Sequence, residues 1–225
     1  MKIALGGMFR NSTRYLERYF RQVNDLADAL GRRQHRLRLV LAEGDSTDTT
    51  WVELAQRTRI FDAVLVKRDH GLRHWGSEDV PDRWRALSWV CNGILDHVTA
   101  DIDALVYVET DLIWTPDTML ALLAHLEQVP AVAPMCFAGE AFYDIWGHIK
   151  GGINFGPFPP YHDDLLPPPA LTQVDSAGSC LVLRGEVARC VRYGPDDLVR
   201  GLGRSIYQQG YSLWVDPALR VDHPL

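Results

Sequence analysis

Two carboxylates, Glu109 and Asp111, stand two positions apart inside the otherwise apolar run LVYVETDLIW. At that spacing on a strand both side chains point to one face. A pair so placed can hold a hard divalent cation, or one acid can take the metal while the other takes a ribose hydroxyl. Mg²⁺ and Mn²⁺ favour such oxygen ligands and complete their shells with water and substrate phosphates. The competing reading is a solvated strand end, with Asp111 starting a turn. His223, in VDPALRVDHPL, follows a predicted strand and could add an imidazole to carboxylate oxygens around Mn²⁺. Asp196 and Asp197 open the segment GPDDLVRGLGRSIYQQGYSLWVDP. Either could take a proton from an attacking hydroxyl, or the two could simply cap a helix and complement its dipole. Glu43, in AEGDSTD, ends a predicted strand where a ribose hydroxyl or a base N–H could meet it; Asp45, Ser46 and Asp48 beside it shape a turn.

The elements that must position these groups alternate. KIAL, RLRLVLA, DAVLVK and DALVYVE read as buried strands, and helical spacing separates them, as in Leu16, Tyr19, Phe20, Val23, Leu26, Ala27 and Leu30 up to Gly31. Trp84, Leu87, Cys91, Ile94, Leu95 and Val98 mark another helix, and Pro116 a helix start. Alternation of this kind predicts an α/β fold with a mostly parallel sheet between helices, and ligands bound beyond the carboxyl ends of the strands. The loops GGMFRN, EGDSTD, KRDHGL and ETD all fall at that edge. The second half is less regular. AVAPM, SCLVL and YSLWVDP read as strands, GEVARCV and a stretch carrying Leu198, Leu202 and Ile206 as helices, and the proline-rich GPFPPYHDDLLPPP as a long loop.

A 225-residue chain with 47% hydrophobic residues can bury a full core, and it fits one domain, with residues 1–111 forming one half and 112–225 the other. A net charge of −6 argues against a sequence-independent nucleic-acid binder. Local positive charge remains at Arg32, Arg33, Arg36 and Arg38 and in KRDHGLRHW. Cys91, Cys136, Cys180 and Cys190 show no zinc spacing and read as reduced residues of a cytosolic protein. No run has the length of a signal-peptide core or of a membrane span, so a soluble, cytoplasmic protein without stable membrane insertion is expected.

Four segments in order resemble the GT-A glycosyltransferases, in particular the large inverting family that uses nucleotide-diphospho-sugars. LAEGDSTDTT is similar to its nucleotide-pocket segment, and VYVETDLIWTPDTMLALL to its D-x-D segment with the following proline and helix. DSAGSCLVLRGEV, with Gly178, resembles the glycine-containing acceptor-side stretch. DDLVRGLGRSIYQQGYSLWVDPALRVDH resembles the E-D helix, the strand after it and the metal-binding histidine. The sequence departs from the family in carrying Glu109 for the first acid of D-x-D, and in a longer spacing from Asp197 to Gly210 and Tyr211.

The resemblance implies a single Rossmann-like GT-A domain, with a mixed, mostly parallel sheet, that transfers a sugar to an acceptor hydroxyl with inversion. It implies Mn²⁺ or Mg²⁺ on Asp111 and His223, with the nucleotide-sugar against Gly7, Met8, Arg10 and Glu43. Glu109 then meets the ribose or the metal's water shell. Asp197, with Asp196 in reserve, is the base. Arg83, Arg85 and Asn92 would reach sugar or phosphate, and Gly178, Trp146 and His148 the sugar or acceptor; a solvated helix face for the arginines and a core role for the aromatics are the alternatives. The donor is expected to be UDP-linked in preference to GDP-linked. The acceptor is a saccharide or, in the minority reading, a hydroxymethylated DNA base, as phage enzymes use in a host cytoplasm. A nucleotidyltransferase and a catalytically silent nucleotide-sugar-binding module are the competing readings.

Overall fold

The structure is a computed structural model, and it describes residues 1–76, 78, 80–144, 147–154 and 171–224. The chain opens with strand β1 (Lys2–Phe9) and helix α1 (Thr13–Gly31), followed by β2 (Arg36–Glu43), α2 (Thr50–Arg57), β3 (Asp62–Lys67), α3 (Pro81–Leu95) and β4 (Ala104–Val108). Then come α4 (Pro116–His125), β5 (Ala131–Ala138) and the short strands β6 (Ala141–Phe142), β7 (Ile149–Lys150) and β8 (Ile153–Asn154). The chain closes with β9 (Thr172–Val174), β10 (Cys180–Arg184), α5 (Gly185–Cys190), α6 (Val199–Gln208) and β11 (Leu213–Asp222).

Among the described residues one sheet of nine strands runs in the order β3-β2-β1-β4-β10-β5-β11-β9, with β6 added to β5. The first four strands are parallel, as the alternation predicts. β10 is antiparallel to both β4 and β5, while β11 is again parallel to β5. β4 and β11 therefore point the same way, and both carboxyl ends lie at one edge. Helices cover both faces. Leu16, Tyr19 and Leu26 of α1, Leu54 of α2 and Met119 of α4 pack on one side. Cys91 and Ile94 of α3, Val187 of α5 and Ile206 of α6 pack on the other.

Two strands run longer than their apolar patterns indicate. β1 continues through Gly6, Gly7 and Met8, because the glycines admit neighbours no side chain would. A Cβ on Gly6 would lie 2.7 Å from Ile94 Cγ2, and one on Gly7 would lie 2.6 Å from the Tyr19 hydroxyl. β11 passes Pro217 through a register shift between Asp216 and Arg220, an irregularity of the kind that lets a strand tolerate proline. Pro116 starts α4 as expected, with Thr115 Oγ1 accepting from the Thr118 amide at 3.2 Å. No helix among the described residues is long and apolar enough to cross a membrane. The proline-rich stretch 156–169 and Trp146 lie outside the described residues.

Candidate active site

A cleft of about 560 Å³ opens at the carboxyl edge of the sheet. Met8 and Arg10 at the end of β1, Arg83 on α3, Glu109 and Asp111 after β4, and His223 after β11 all line it. A larger concavity, about 790 Å³, lies by Met1, Asp103 and Arg184. That places it at the amino ends of β1 and β4, the edge where α/β sheets do not bind ligands.

Backbone pairing brings Asp111 and His223 together. The Ile113 amide donates to the Asp222 carbonyl at 2.7 Å, and the Asp222 amide returns the bond at 2.9 Å. The next amide, of His223, donates to the Phe137 carbonyl at 2.6 Å. The chain leaving β4 is thereby stitched to the end of β11, and His223 Nε2 comes 3.3 Å from Asp111 Oδ2. The Tyr143 ring stacks on the imidazole, with centroids 4.0 Å apart and planes at 14°. Two cis ligands of an octahedral ion at about 2.1 Å stand about 3 Å apart, so this pair fits one side of a cation site. Among the described residues no group of three or more His, Cys, Asp or Glu side chains gathers as a metal-ligand set. A cation there would rely on substrate oxygens and water for the rest of its shell.

Glu109 forms the deeper wall. Its amide donates to the Ser179 carbonyl at 2.9 Å. Burial, then the neighbouring Asp111 and Asp144, hold its carboxyl well above the ordinary range, while Arg83 and a Ser179 hydrogen bond pull it back. Ser179 takes a left-handed φ of 58°, and its hydroxyl donates to Asp144 Oδ1 at 2.7 Å. Arg10 spans the rim: it meets His70 Nε2 at 3.3 Å and donates to the Leu72 carbonyl at 2.7 Å. His70 in turn stands 3.0 Å from Asp45.

The other predicted positions lie off the cleft. Gly7 packs under Tyr19. Glu43 is wholly buried, accepts from the Ser46 amide at 2.7 Å and pairs with Lys67. Burial works against the charge on Lys67, but Glu43 and Asp69 hold its pKa above the usual value. Asn92 is turned to the backbone of Tyr193, donating at 3.1 Å and accepting at 2.9 Å. Gly178 gives room to Val199, which a Cβ would meet at 3.2 Å. His148 is wholly buried, edge-on to Phe142 at 5.0 Å. Asp196 is exposed, and both oxygens of Asp197 are held by Arg204, at 2.6 and 2.8 Å. Arg85 pairs with Asp82.

Sequence reasoning passed over several residues of the cleft: Tyr15, Trp75 and Tyr143 on its walls, and Asp144 behind Ser179. The only signal for Tyr143 and Asp144 was the aromatic density of AFYDIWG.

No family model and no curated protein matches the sequence. Solved structures do match the fold. The mannosyltransferase PcManGT from Pyrobaculum calidifontis, in complex with GDP-Man and Mn²⁺, is 15% identical with a TM-score of 0.60, over 98% of this chain and 56% of its own. S. aureus TarS 1-349 in complex with UDP-GlcNAc is 11% identical with a TM-score of 0.57, over 100% of this chain and 59% of its own. This chain thus spans a little over half the length of these proteins. At such identities the likeness is one of fold, and the fold is the GT-A arrangement.

Proposed function

We propose that this chain transfers a glycosyl group from a nucleotide-diphospho-sugar to an acceptor hydroxyl, with inversion, using Mn²⁺ or Mg²⁺ held by Asp111 and His223. One observation carries the reading: a mid-chain carboxylate, Asp111, and an imidazole 112 positions later, His223, meet at 3.3 Å in the cleft at the carboxyl edge. The solved structures of the same fold, bound to GDP-Man and to UDP-GlcNAc, support a nucleotide-sugar donor. A cation in this place would act as a Lewis acid on the departing diphosphate.

The chain's own groups supply the rest. Arg10 and Arg83 face the cleft and can meet phosphate oxygens. Glu109, on the cleft wall beside Asp111, can meet a ribose hydroxyl or the water shell of the metal. The carboxylates at the end of β2 and on the loops after β2 and β3 are already engaged. Glu43 is taken by Lys67 and the Ser46 amide, Asp45 by His70 and Gly71, Asp48 by the Thr13 and Thr50 amides, and Asp69 by the Asp45 amide. Guanine would need such an acceptor for its paired N–H groups, whereas uracil needs one acceptor that a backbone carbonyl can provide. This favours a UDP-linked donor.

The arginine cluster Arg32, Arg33, Arg36 and Arg38 lies at the amino end of β2, on the edge away from the cleft. In KRDHGLRHW, Lys67, Arg68 and Arg73 are paired with Glu43, Asp96 and Glu78. Both facts favour a saccharide acceptor over DNA. Asp197 remains the proposed base, with Asp196 in reserve; Arg204 must release Asp197 for it to serve. Gly178 and His148 would shape the acceptor side from behind.

A panel of nucleotide-sugars with and without Mn²⁺ tests the reading. Metal-dependent thermal stabilisation by a UDP-sugar, lost in Asp111→Ala, and release of UDP without pyrophosphate are expected. Release of pyrophosphate would indicate nucleotidyl transfer instead. A donor that binds with no turnover on any acceptor would indicate a binding module.

A further inference from the structure

The segment that carries Asp111 away from β4 is held from a distance by α1. Arg18 Nη2 donates to the Asp111 carbonyl at 2.6 Å. One turn further along, Gln22 Nε2 donates to the Leu112 carbonyl at 3.2 Å, and Gln22 Oε1 accepts from the Trp114 amide at 3.1 Å. Gln22 is 7% exposed, and Leu112 and Trp114 are buried beside it. Residues four apart on a helix lie side by side, so Arg18 and Gln22 form a two-pronged clamp on residues 111–114. The remaining residue of that stretch, Ile113, is bonded through both backbone groups to Asp222, the neighbour of His223. The same four residues are thus gripped by α1 on one side and tied to β11 on the other.

We infer that Arg18 and Gln22 are positioning residues that fix Asp111 against His223 and so preorganise the cation side of the donor site. The inference rests on the proposed role of that pair. Its physical basis is that buried carbonyls and amides must be satisfied. Without the clamp, the Asp111 and Leu112 carbonyls and the Trp114 amide would turn towards other partners and carry the Asp111 carboxylate with them. Arg18 is absent from the lining of the cleft, although its guanidinium reaches to 5.4 Å from the ring of Tyr15, which does line it. It acts through Asp111 and not on the donor.

Electron paramagnetic resonance of Mn²⁺ in the presence of UDP separates these roles. Arg18→Met keeps the aliphatic stem and removes the donors; Gln22→Met does the same one turn on. Each is expected to weaken Mn²⁺ retention by about tenfold or more, the usual cost of losing a group that orients a metal ligand. Affinity for UDP in EDTA should change by less than about twofold, and Arg18→Lys should recover part of the loss. Unchanged Mn²⁺ retention in Arg18→Met and Gln22→Met overturns the clamp. So does an equal loss of UDP affinity in EDTA, which would make Arg18 a donor contact. Should Arg18→Met not fold, Gln22→Met and Arg18→Lys decide by the same comparison. If the wild-type protein retains no Mn²⁺ with either UDP or GDP, the cation reading itself falls and the inference with it.

Discussion

Asp144 and His148 are two buried groups whose titrations oppose one another. Burial lowers the wholly buried His148 imidazole to about 4, with a hydrogen bond to the Asp144 backbone working the other way. Burial raises the Asp144 carboxyl to about 6, against its Ser179 hydrogen bond; among the described residues its Oδ2 accepts no hydrogen bond. In the unfolded chain His148 titrates near 6.5 and Asp144 near 3.8. Between about pH 4 and 6.5 the unfolded chain takes a proton that native His148 refuses. Its stabilisation is therefore complete above 6.5 and is lost as the pH falls towards 4. Asp144 behaves inversely: the native state keeps a proton the unfolded state has released, so its stabilisation is complete below 3.8 and is lost as the pH rises through 6. At about 1.4 kcal/mol for each tenfold difference in proton affinity, each group carries about 3 kcal/mol of pH-dependent stability. The two slopes nearly cancel in the wild type between about pH 4 and 6. Removing either group should expose the other. Relative to wild type, His148→Gln should lose about 1.4 kcal/mol per pH unit as the pH rises across that window, and Asp144→Asn should gain about as much. Urea unfolding at half-unit steps measures both, and the sign of the slope matters more than any uniform loss from the substitution. Stability curves for both variants that run parallel to the wild type, or bend the same way, would refute the reasoning.

Packing against α6 gives a second expectation. In Gly203→Ala the new Cβ would sit 2.2 Å from the Asp175 carbonyl oxygen, so overpacking of about 1–3 kcal/mol should outweigh the helix-propensity gain of about 1 kcal/mol. Gly31→Ala, where a Cβ meets nothing within 4 Å, should leave stability unchanged or raise it by up to about 1 kcal/mol in the same denaturant assay. For the proposed base, Asp197→Asn should lower kcat by about a hundredfold or more while leaving donor affinity intact. An effect smaller than about fivefold would move the base elsewhere.

How much of the fold was legible depended on what each element buries. The parallel half could be read because β4 is covered on both faces and runs as an unbroken apolar stretch, and β2 is apolar and buried from Leu39 to Ala42. β1 outruns its apolar pattern because GGM has the composition of a loop, yet its glycines are packing residues under Ile94 and Tyr19. The direction of β10 left no trace in its pattern: a strand buried on both faces is apolar whichever way it runs. Nor could the shift that carries β11 past Pro217 be anticipated, since it is a matter of pairing with β5 and not of local preference.

The site divides along the same line. Asp111 and His223 stood out by residue type and by the resemblance to GT-A sequences, and the structure brings the two together in the cleft. Glu43 and Asn92 were equally conspicuous as types, but the structure spends them on Lys67 and on the Tyr193 backbone. The residues that hold Asp111 in place were invisible for the opposite reason. Arg18 and Gln22 sit on an amphipathic helix about 90 residues earlier, where an arginine and a glutamine read as a solvated face. Their contacts are to backbone carbonyls and amides, which any sequence possesses. A reading from residue types can therefore find the groups that would meet a ligand and still miss the groups that aim them. The test of Arg18→Met against Asp111→Ala addresses that division directly. If the ligand pair sufficed without its clamp, Mn²⁺ retention would vanish only in Asp111→Ala. A loss in Arg18→Met as well, with UDP affinity in EDTA preserved, would show that the site owes its geometry to α1 as much as to β4.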